Sequence, residues 1–329
     1  MLAARILATA THYPGTARTT AELASVAMPD RAAADVEART GIVARWFADP
    51  ADSTASQAAA AVRAACAAAG MPLTDLRRLI FACSTGGDFL LPATANAVLE
   101  LLGLEGTADC FDLNNACMGF LSGLDVAARC VVTGMGPVAV VASEMPSRHI
   151  VPDDPRPYVV FGDAAGAAIV VAAGTSEAAV LAASFGNRGS LRDTVQMGHA
   201  SLTGQRETIR FHRSNKEITD IAMLGLGQSA AAIFAQTGLD WQGVDWIVPH
   251  QPNGAMLGQI AERFGLDATK LVPVVATTGN VGAASIAVGL DQLLRSGRVR
   301  RGQTILLIGV GSGLSYGALL YRVGEMSPS

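Results

Sequence analysis

The sequence repeats itself once, and this repeat restricts the possible fold more than any other feature. Residues 67–85 and residues 235–254 both contain a helix end closed by glycine, a short loop, and an apolar strand that ends in a polar residue. Further matched landmarks are the pairs Gly103 and Gly265, Gly123 and Gly289, and Gly134 and Gly297. The two members of each pair lie about 165 residues apart, and this near-constant offset indicates an internal duplication.

The duplication predicts the fold class. Strands alternate with helices in both copies, which predicts an α/β fold of βαβ units with mainly parallel sheets. The helix at 55–69 is apolar on every side, so we expect it to be buried between sheets. Two halves that share a buried helix layer form a layered sheet–helix–sheet structure with pseudo-twofold symmetry. The predicted halves are residues 1–174 and residues 175–329.

Composition excludes several functional classes. The 329 residues are 50% hydrophobic and 16% charged with a net charge of -4, which describes a compact globular enzyme and argues against nucleic-acid binding. The five cysteines have no C-x-x-C spacing, which argues against a disulfide framework and a zinc site and favours a reducing cytoplasm. No signal-peptide pattern or uncharged membrane-spanning run is recognisable, so we expect neither export nor membrane insertion.

Cys117 is the candidate nucleophile. It lies between a predicted strand at 108–113 and a predicted helix at 120–132. A thiol at the first turn of a helix faces unpaired backbone N–H groups and the positive end of the helix dipole. We therefore expect a lowered thiol pKa and a reactive thiolate, although a lone cysteine can also be a simple packing residue.

Two polar residues end strands in the second half. His250 follows a predicted strand at 246–248, and Asn280 follows a predicted strand at 271–275, at nearly the duplicate of the Cys117 turn. Because ligands gather at the carboxyl ends of strands, we expect the thiol, the imidazole and the carboxamide to converge. Two hydrogen-bond donors aimed at one carbonyl oxygen stabilise an enolate or an oxyanion. Taken singly, His250 can be a packed core residue and Asn280 a helix N-cap.

A glycine-rich turn at 309–313 follows the predicted strand at 304–308. Its spacing is G-x-G-x-G, and the chain then continues into another strand at 318–323. A dinucleotide site needs G-x-G-x-x-G followed by a helix, so we do not expect one here. Glycines allow close approach of the backbone, and the turn is a candidate oxyanion-binding segment.

These residues resemble a family, the ketosynthases of the thiolase superfamily, and among them the β-ketoacyl-acyl-carrier-protein synthase III type. The resemblance covers essentially the whole chain. It rests on the stretches at 39–42, 115–120, 161–167, 248–253 and 279–285 and on the C-terminal glycine turn. The Cys117, His250 and Asn280 set resembles that of priming ketosynthases, whereas chain-elongating relatives have a second histidine in place of Asn280.

The resemblance implies an acyltransferase of fatty-acid or polyketide biosynthesis. Cys117 takes an acyl group from a thioester, and His250 and Asn280 stabilise the enolate formed when a malonyl-type thioester loses carbon dioxide. The enolate attacks the acyl-enzyme and yields a β-ketoacyl thioester. The backbone N–H groups of Cys117 and Ser312 form the oxyanion hole. The resemblance further implies no metal or other cofactor, acyl carrier protein or CoA thioesters as partners, and a cytoplasmic homodimer.

Substrate-binding residues are also implied by the resemblance. They are Arg39, Leu91, Arg156 and Asn253. Leu91 matches a position that lines the acyl pocket of the partner subunit, although it can also be an ordinary loop leucine. Residues 34–37 stand where acyl-CoA users carry a tryptophan that stacks on adenine, and the predicted carrier-docking surface around Arg263 is less basic than usual. These departures favour a specialised natural-product member of the family.

Two other functions stay open from the sequence alone. One is acyl transfer, which needs Cys117 and His250 but makes no use of enolate stabilisation by Asn280, or the joining of two acyl chains without decarboxylation. The other is a non-catalytic ketosynthase partner subunit, in which the nucleophilic cysteine is normally replaced. The length of the acyl chain and the type of carrier have no signature in the sequence.

Overall fold

The computed structural model describes residues 1–174, 177–204 and 207–324. The predicted junction of the two halves lies between residues 174 and 175, and Thr175 falls outside the described residues. The division at that junction therefore stays a prediction. The sheets on its two sides can nevertheless be compared directly.

Thirteen strands and eleven α-helices form within these described ranges. The strands are β1 (Ala4–His12), β2 (Thr16–Thr19), β3 (Ala44–Phe47), β4 (Arg78–Ala82), β5 (Asp109–Leu113), β6 (Val138–Glu144), β7 (Ala164–Ala172), β8 (Ala179–Asn187), β9 (Val195–Met197), β10 (Ile209–Phe211), β11 (Trp246–Pro249), β12 (Thr304–Gly311) and β13 (Ser315–Arg322). The helices are α1 (Thr20–Ala27), α2 (Ala33–Thr40), α3 (Thr54–Ala68), α4 (Thr94–Leu102), α5 (Gly119–Val132), α6 (Pro155–Tyr158), α7 (Ala200–Thr203), α8 (Asn215–Thr237), α9 (Gly254–Phe264), α10 (Val275–Thr278) and α11 (Ala284–Arg295).

Two sheets with matching strand orders form the centre of the fold. The first has the order β1-β7-β6-β4-β5, and the second has the order β8-β13-β12-β11. In both sheets the first two neighbouring pairs are antiparallel and the remaining pairs are parallel. The prediction of mainly parallel sheets is therefore wrong, because β7 and β13 run back beside the strand that precedes each of them.

Helices α5 and α11 lie between the two sheets. Helix α5 contacts β4, β6 and β7 of the first sheet and β13 of the second, while α11 contacts β1, β6 and β7 and also β11 and β12. Helices α3 and α4 cover the other face of the first sheet, and α8 and α9 cover the other face of the second. The predicted sheet–helix–sheet layering is confirmed, with a further helix layer on each outer face.

The position predicted for the alanine-rich helix at 55–69 is wrong. Helix α3 packs its buried face, which includes Val62, against Leu79 and Phe81 on the outer side of the first sheet. Its opposite face, with Arg63 and Ala64, is exposed. Alanine favours a helix at any depth because its side chain is small and loses no rotamer entropy, so a surface of alanine does not indicate burial on both sides.

Helix α8 is the one helix in the described part of the chain that is long and apolar enough to cross a membrane by length and composition. Its buried residues include Ala222, Leu226, Ala230 and Ile233, which pack into the core on the outer face of the second sheet. A core helix of a layered α/β protein has the same properties, so this feature is weak evidence for a membrane span.

Gly166 allows close approach between β7 and α11, because a Cβ atom at this position would lie 2.5 Å from the Cβ atom of Ala287. We predict that Gly166→Ala lowers the free energy of unfolding by about 1–3 kcal/mol, since the layers have no room for the added methyl group. Urea denaturation measures the change. The matched control is Gly258→Ala in α9, where an added Cβ meets nothing within 4 Å. Equal losses in both variants would contradict the close approach.

Candidate active site

Cys117 lies in a sharp turn between β5 and α5. Ala116 has a φ of 46°, the one positive φ among the non-glycine residues that the structure describes. Its N–H group donates to the side-chain oxygen of Asn114 at 3.0 Å, which holds the turn. Helix α5 begins at Gly119, so the nucleophile stands just ahead of the first helical turn.

The glycine turn after β12 approaches this nucleophile turn closely. A Cβ atom on Gly311 would lie 3.2 Å from the backbone nitrogen of Cys117, and one on Gly309 would lie 3.1 Å from the Cβ atom of His250. The backbone N–H groups of Ser312 and Cys117 both lower the pKa of the thiol, which indicates that they lie near the sulfur. The two groups predicted to form the oxyanion hole therefore meet at the nucleophile, and their catalytic role stays a prediction.

The expectation of a lowered thiol pKa at Cys117 is wrong. Burial in the fold, and then the negative charge of Glu144, raise the pKa of the thiol to about 12, although the N–H groups of Ser312 and Cys117 oppose the shift. The helix begins only at Gly119, so its dipole does not compensate for the loss of water. The resting nucleophile is thus a neutral thiol that must lose its proton as it attacks.

His250 ends β11 as a buried, neutral imidazole. The backbone N–H group of His250 donates to the carbonyl of Ile308 at 2.9 Å, which attaches the residue to β12. Burial lowers the pKa of the ring to about 4. Within the described residues the Nδ1 atom is buried without a hydrogen-bond partner. The ring is therefore neutral at neutral pH, with one of its two nitrogens unprotonated.

The strand predicted at 271–275 does not form, and the side chain of Gln251 binds this segment instead. This segment makes a single bridge between Leu271 and Ile247, and helix α10 already begins at Val275. The side chain of Gln251 makes the hydrogen bonds to this backbone that a neighbouring strand would otherwise make. Its NH₂ group donates to Val272 O at 2.7 Å, and its oxygen accepts from Val274 N at 2.9 Å. Sequence reasoning missed this residue because a glutamine next to His250 has no pattern that indicates burial.

Asn280 lies in a second turn with the same geometry as the Cys117 turn. Its side-chain oxygen accepts from Gly282 N at 3.0 Å, just as the side-chain oxygen of Asn114 accepts from Ala116 N at the same distance. Gly282 has a φ of 50° and Ala116 a φ of 46°. Since Asn280 uses its oxygen for the turn, its NH₂ group is the part that can donate to a substrate.

Glu144 is a site residue that the sequence analysis did not identify. It ends the fully buried strand β6 and is itself inaccessible to solvent. Burial raises the pKa of its carboxyl group to about 7. The sequence did contain a signal for this residue, namely an acidic residue at the end of an apolar strand. Such a residue is rarely buried without a specific partner, so it indicates a structural or functional role.

The predicted substrate-binding residues have different surroundings. Arg39 is exposed on α2, close to the point where Gly41 contacts the beginning of α9. Asn253 caps α9 by accepting from Met256 N at 3.0 Å. Leu91 is 89% exposed. These placements are compatible with contact to an incoming molecule, and the binding roles stay predictions.

Arg156 already has partners within this chain. Its guanidinium lies 4.3 Å from the ring centroid of Phe211, and it donates to the carbonyl of Arg213 at 2.5 Å. One face of the guanidinium is therefore covered by an aromatic ring of the β10 strand. Separately, the described residues contain no group of three or more His, Cys, Asp or Glu side chains that could hold a metal ion.

Comparison with known proteins first defines the class. The priming β-ketosynthase of the R1128 polyketide biosynthetic pathway superposes with a TM-score of 0.88 at 28% identity, over 98% of this chain and 96% of that one. The 3-oxoacyl-(acyl carrier protein) synthase III of Pseudomonas aeruginosa PAO1 superposes with a TM-score of 0.89 at 30% identity, over 99% of this chain and 100% of that one. The thiolase-like fold and the Cys, His and Asn turns thus define a ketosynthase-type enzyme.

The family follows from the sequence comparisons. Residues 111–189 match the model of 3-oxoacyl-[acyl-carrier-protein] synthase III, and residues 234–323 match the model of its C-terminal part. The β-ketoacyl-[acyl-carrier-protein] synthase III of Rhodospirillum rubrum is 33% identical over 294 residues, which is 88% of this chain and 90% of the relative. The chain belongs to the 3-oxoacyl-acyl-carrier-protein synthase III family.

The raised thiol pKa makes a prediction about alkylation. We expect iodoacetamide to label Cys117 slowly at pH 7, with a rate that rises by about tenfold for each pH unit, because only the thiolate reacts. Quantitative peptide mass spectrometry of the Cys117 peptide measures the rate, and Cys130 in the same digest serves as the internal control. A rate that reaches its plateau below pH 8 would refute the raised pKa.

Proposed function

We propose that this chain catalyses the decarboxylative Claisen condensation of an acyl group with a malonyl-type thioester. The observation that carries the proposal is the glycine turn after β12, which approaches both Cys117 and the buried neutral His250 and whose Ser312 N–H group, with that of Cys117, lowers the pKa of the thiol. A thioester carbonyl attacked by that thiol develops negative charge where the two donors point. The membership of the 3-oxoacyl-acyl-carrier-protein synthase III family supports the same chemistry.

The first half-reaction is acylation of the thiol. Cys117 attacks the carbonyl carbon of an acyl thioester while its proton passes to the neutral His250. The oxyanion is stabilised by the N–H groups of Cys117 and Ser312. It then collapses, the carbon–sulfur bond of the donor breaks, and the leaving thiol takes up the proton. Because the resting thiol has a high pKa, proton removal has to accompany attack.

The second half-reaction is condensation. A malonyl-type thioester loses carbon dioxide, and the electron pair of the broken carbon–carbon bond becomes an enolate. The NH₂ group of Asn280 and an N–H group of the His250 ring donate to the enolate oxygen. The enolate carbon then attacks the acyl group on Cys117, the carbon–sulfur bond to Cys117 breaks, and the β-ketoacyl thioester is released together with a Cys117 thiolate. Uptake of a proton from solvent restores the thiol.

Asn280 separates decarboxylative condensation from simple acyl transfer. We expect Asn280→Ala to lower the release of ¹⁴CO₂ from carboxyl-labelled malonyl thioester by at least about 100-fold, since loss of one oxyanion donor costs about that much. Acylation of Cys117, followed by intact-protein mass spectrometry, is expected to stay within threefold of wild type.

A matched variant tests the donor alone. Asn280→Asp keeps an oxygen that can accept from Gly282 N but has no NH₂ group, so it is also expected to lose decarboxylation. If both variants released carbon dioxide at nearly the wild-type rate, the enzyme would not use Asn280 as an enolate donor. A wild-type enzyme that acylates Cys117 but releases no carbon dioxide would instead favour acyl transfer without decarboxylation.

We further propose acyl carrier protein or CoA thioesters as substrate carriers, with no metal or other cofactor, and a cytoplasmic location. The names of the relatives support the carriers. The chemistry supports the lack of a cofactor, because polar protein groups are sufficient for each step. The stacking of Arg156 on Phe211 supports a specialised member, since a covered guanidinium has one face fewer for an adenine ring. The free cysteines of the described chain support a reducing compartment.

A homodimer completes the proposal. In the described residues β5 pairs with β4 alone, so its other edge is open at the end of the first sheet. Thr94 N donates to Asp112 of β5 at 2.7 Å, and just ahead of Thr94 in the chain Phe89, Leu90 and Leu91 are 51%, 81% and 89% exposed. An open strand edge beside an exposed apolar segment is typical of a surface that another chain covers.

The exposed segment gives a test of the dimer. We expect the wild-type protein to sediment as a dimer in analytical ultracentrifugation, and the double variant Leu90→Glu and Leu91→Glu to shift towards the monomer, because two charges would have to be desolvated at the interface. The control is Leu202→Glu, at a site that is also 87% exposed. A wild-type monomer at micromolar concentration would refute the homodimer.

A further inference from the structure

One carboxylate oxygen joins the two halves of the site. The Oε1 atom of Glu144 accepts from Ser84 N at 2.8 Å and from Ala283 N at 3.0 Å. Its Oε2 atom accepts from the hydroxyl of Ser84 at 2.7 Å. Ser84 follows β4 of the first sheet, whereas Ala283 immediately precedes α11 and belongs to the turn of Asn280.

The turn of Asn280 fits closely around this carboxylate. A Cβ atom on Gly282 would lie 2.9 Å from the carboxyl carbon of Glu144, so the residue has to be a glycine. The N–H group of Gly282 donates to the side chain of Asn280, and the N–H group of Ala283 donates to Glu144. The positions of the carboxamide and the carboxylate are thereby linked through two consecutive peptide units.

The same carboxylate also lies near the nucleophile. Ala283, which donates to this carboxylate, lies against the start of α5, because a Cβ atom on Gly119 would lie 3.4 Å from the Cβ atom of Ala283. In agreement with this placement, the charge of Glu144 raises the pKa of the Cys117 thiol. The other neighbours of the carboxylate are the hydroxyl of Ser84 and the thiol of Cys83, whose sulfur is 3.8 Å from Oε2. Glu144 thus contacts the Asn280 turn from the side of the nucleophile.

We propose that Glu144 is a positioning residue for the condensation step. It holds the Asn280 turn, through Ala283 N, at a fixed place relative to the end of β4, and so fixes where the Asn280 carboxamide meets the enolate. This inference rests on the proposed function. It assigns Glu144 to the second half-reaction, because acylation of Cys117 makes no use of the carboxamide.

Two substitutions with side chains of similar length test separately whether Glu144 acts as a hydrogen-bond acceptor or through its negative charge. Glu144→Gln keeps a carbonyl oxygen that can accept from both Ser84 N and Ala283 N, and its NH₂ group can donate to the hydroxyl of Ser84. Glu144→Met fills the same space but leaves both N–H groups without an acceptor. Ser84→Ala is the control that removes only the bond to Oε2 and leaves the two bonds to Oε1.

The experiment measures the half-reactions separately. Acylation of Cys117 is followed by intact-protein mass spectrometry with an acyl thioester that loads the wild type. Decarboxylation is followed as ¹⁴CO₂ released from carboxyl-labelled malonyl-CoA or malonyl-carrier protein by the acylated enzyme. A wild-type enzyme that releases no carbon dioxide with either donor refutes the proposed function itself, independently of Glu144.

We expect Glu144→Met to keep acylation within threefold of wild type and to lose at least 50-fold in carbon dioxide release. Glu144→Gln and Ser84→Ala are expected to stay within fivefold in both half-reactions. Loss of decarboxylation in Glu144→Gln would overturn the proposal in favour of a role for the charge. Full decarboxylation by Glu144→Met, or equal losses in both half-reactions, would also overturn it.

The alkylation rate of Cys117 in Glu144→Gln tests the proposal even if Glu144→Met does not fold. In Glu144→Gln the negative charge beside the thiol is gone, so iodoacetamide is expected to label Cys117 at least threefold faster at pH 7 than in wild type. Faster labelling together with retained decarboxylation supports a neutral positioning role beside the nucleophile. Unchanged labelling would show that the carboxylate does not face Cys117 and would refute the arrangement.

Discussion

Burial of polar groups between two sheets is the constraint on which the chemistry of this site depends. The site lies beside α5 and α11, where desolvation favours the neutral form of its ionisable groups although Cys117 itself is only half-buried. Desolvation raises the pKa of the Cys117 thiol and of the Glu144 carboxyl group and lowers the pKa of the His250 ring. The site therefore rests with a thiol beside a neutral base, and charge develops only when a substrate arrives to be stabilised by fixed donors.

Such a site requires close contact between the backbone of one half of the fold and the residues of the other half. The glycines at the end of β12 make this contact possible, because any Cβ atom on Gly309 or Gly311 would compete for space with His250 or Cys117. The need for small residues explains why the turn at 309–313 is rich in glycine although its spacing is not that of a dinucleotide site. It also explains why backbone N–H groups are the proposed oxyanion donors, since they can approach a thiol more closely than most side chains allow.

The layered fold and the three turns of the site could be predicted because the duplication repeats landmarks that depend on short-range rules, such as glycine at helix ends. The errors arose where long-range contacts decide. Helix α3 is outside the sheets because its alanines fit either environment, and the segment at 271–275 is not a strand because Gln251 supplies its hydrogen bonds. The thiol pKa was wrong because burial and Glu144, which the local sequence does not indicate, outweigh the helix dipole.

The duplication also explains how the two turns support each other. The offset that relates Gly123 to Gly289 relates the Cys117 turn to the turn of Gly282 and Ala283, and both turns contain a residue with a left-handed backbone. Each turn is followed by a helix and then by a strand, and the end of that strand contacts the turn of the other half. After the Cys117 turn, β6 ends at Glu144 beside Ala283. After the Asn280 turn, β12 ends at Gly311 beside Cys117. The two halves of the fold are thus related by symmetry but have different residues at equivalent strand ends. The carboxylate of Glu144 holds the turn that carries the Asn280 carboxamide, whereas Gly311 leaves space beside the turn that carries the Cys117 thiol.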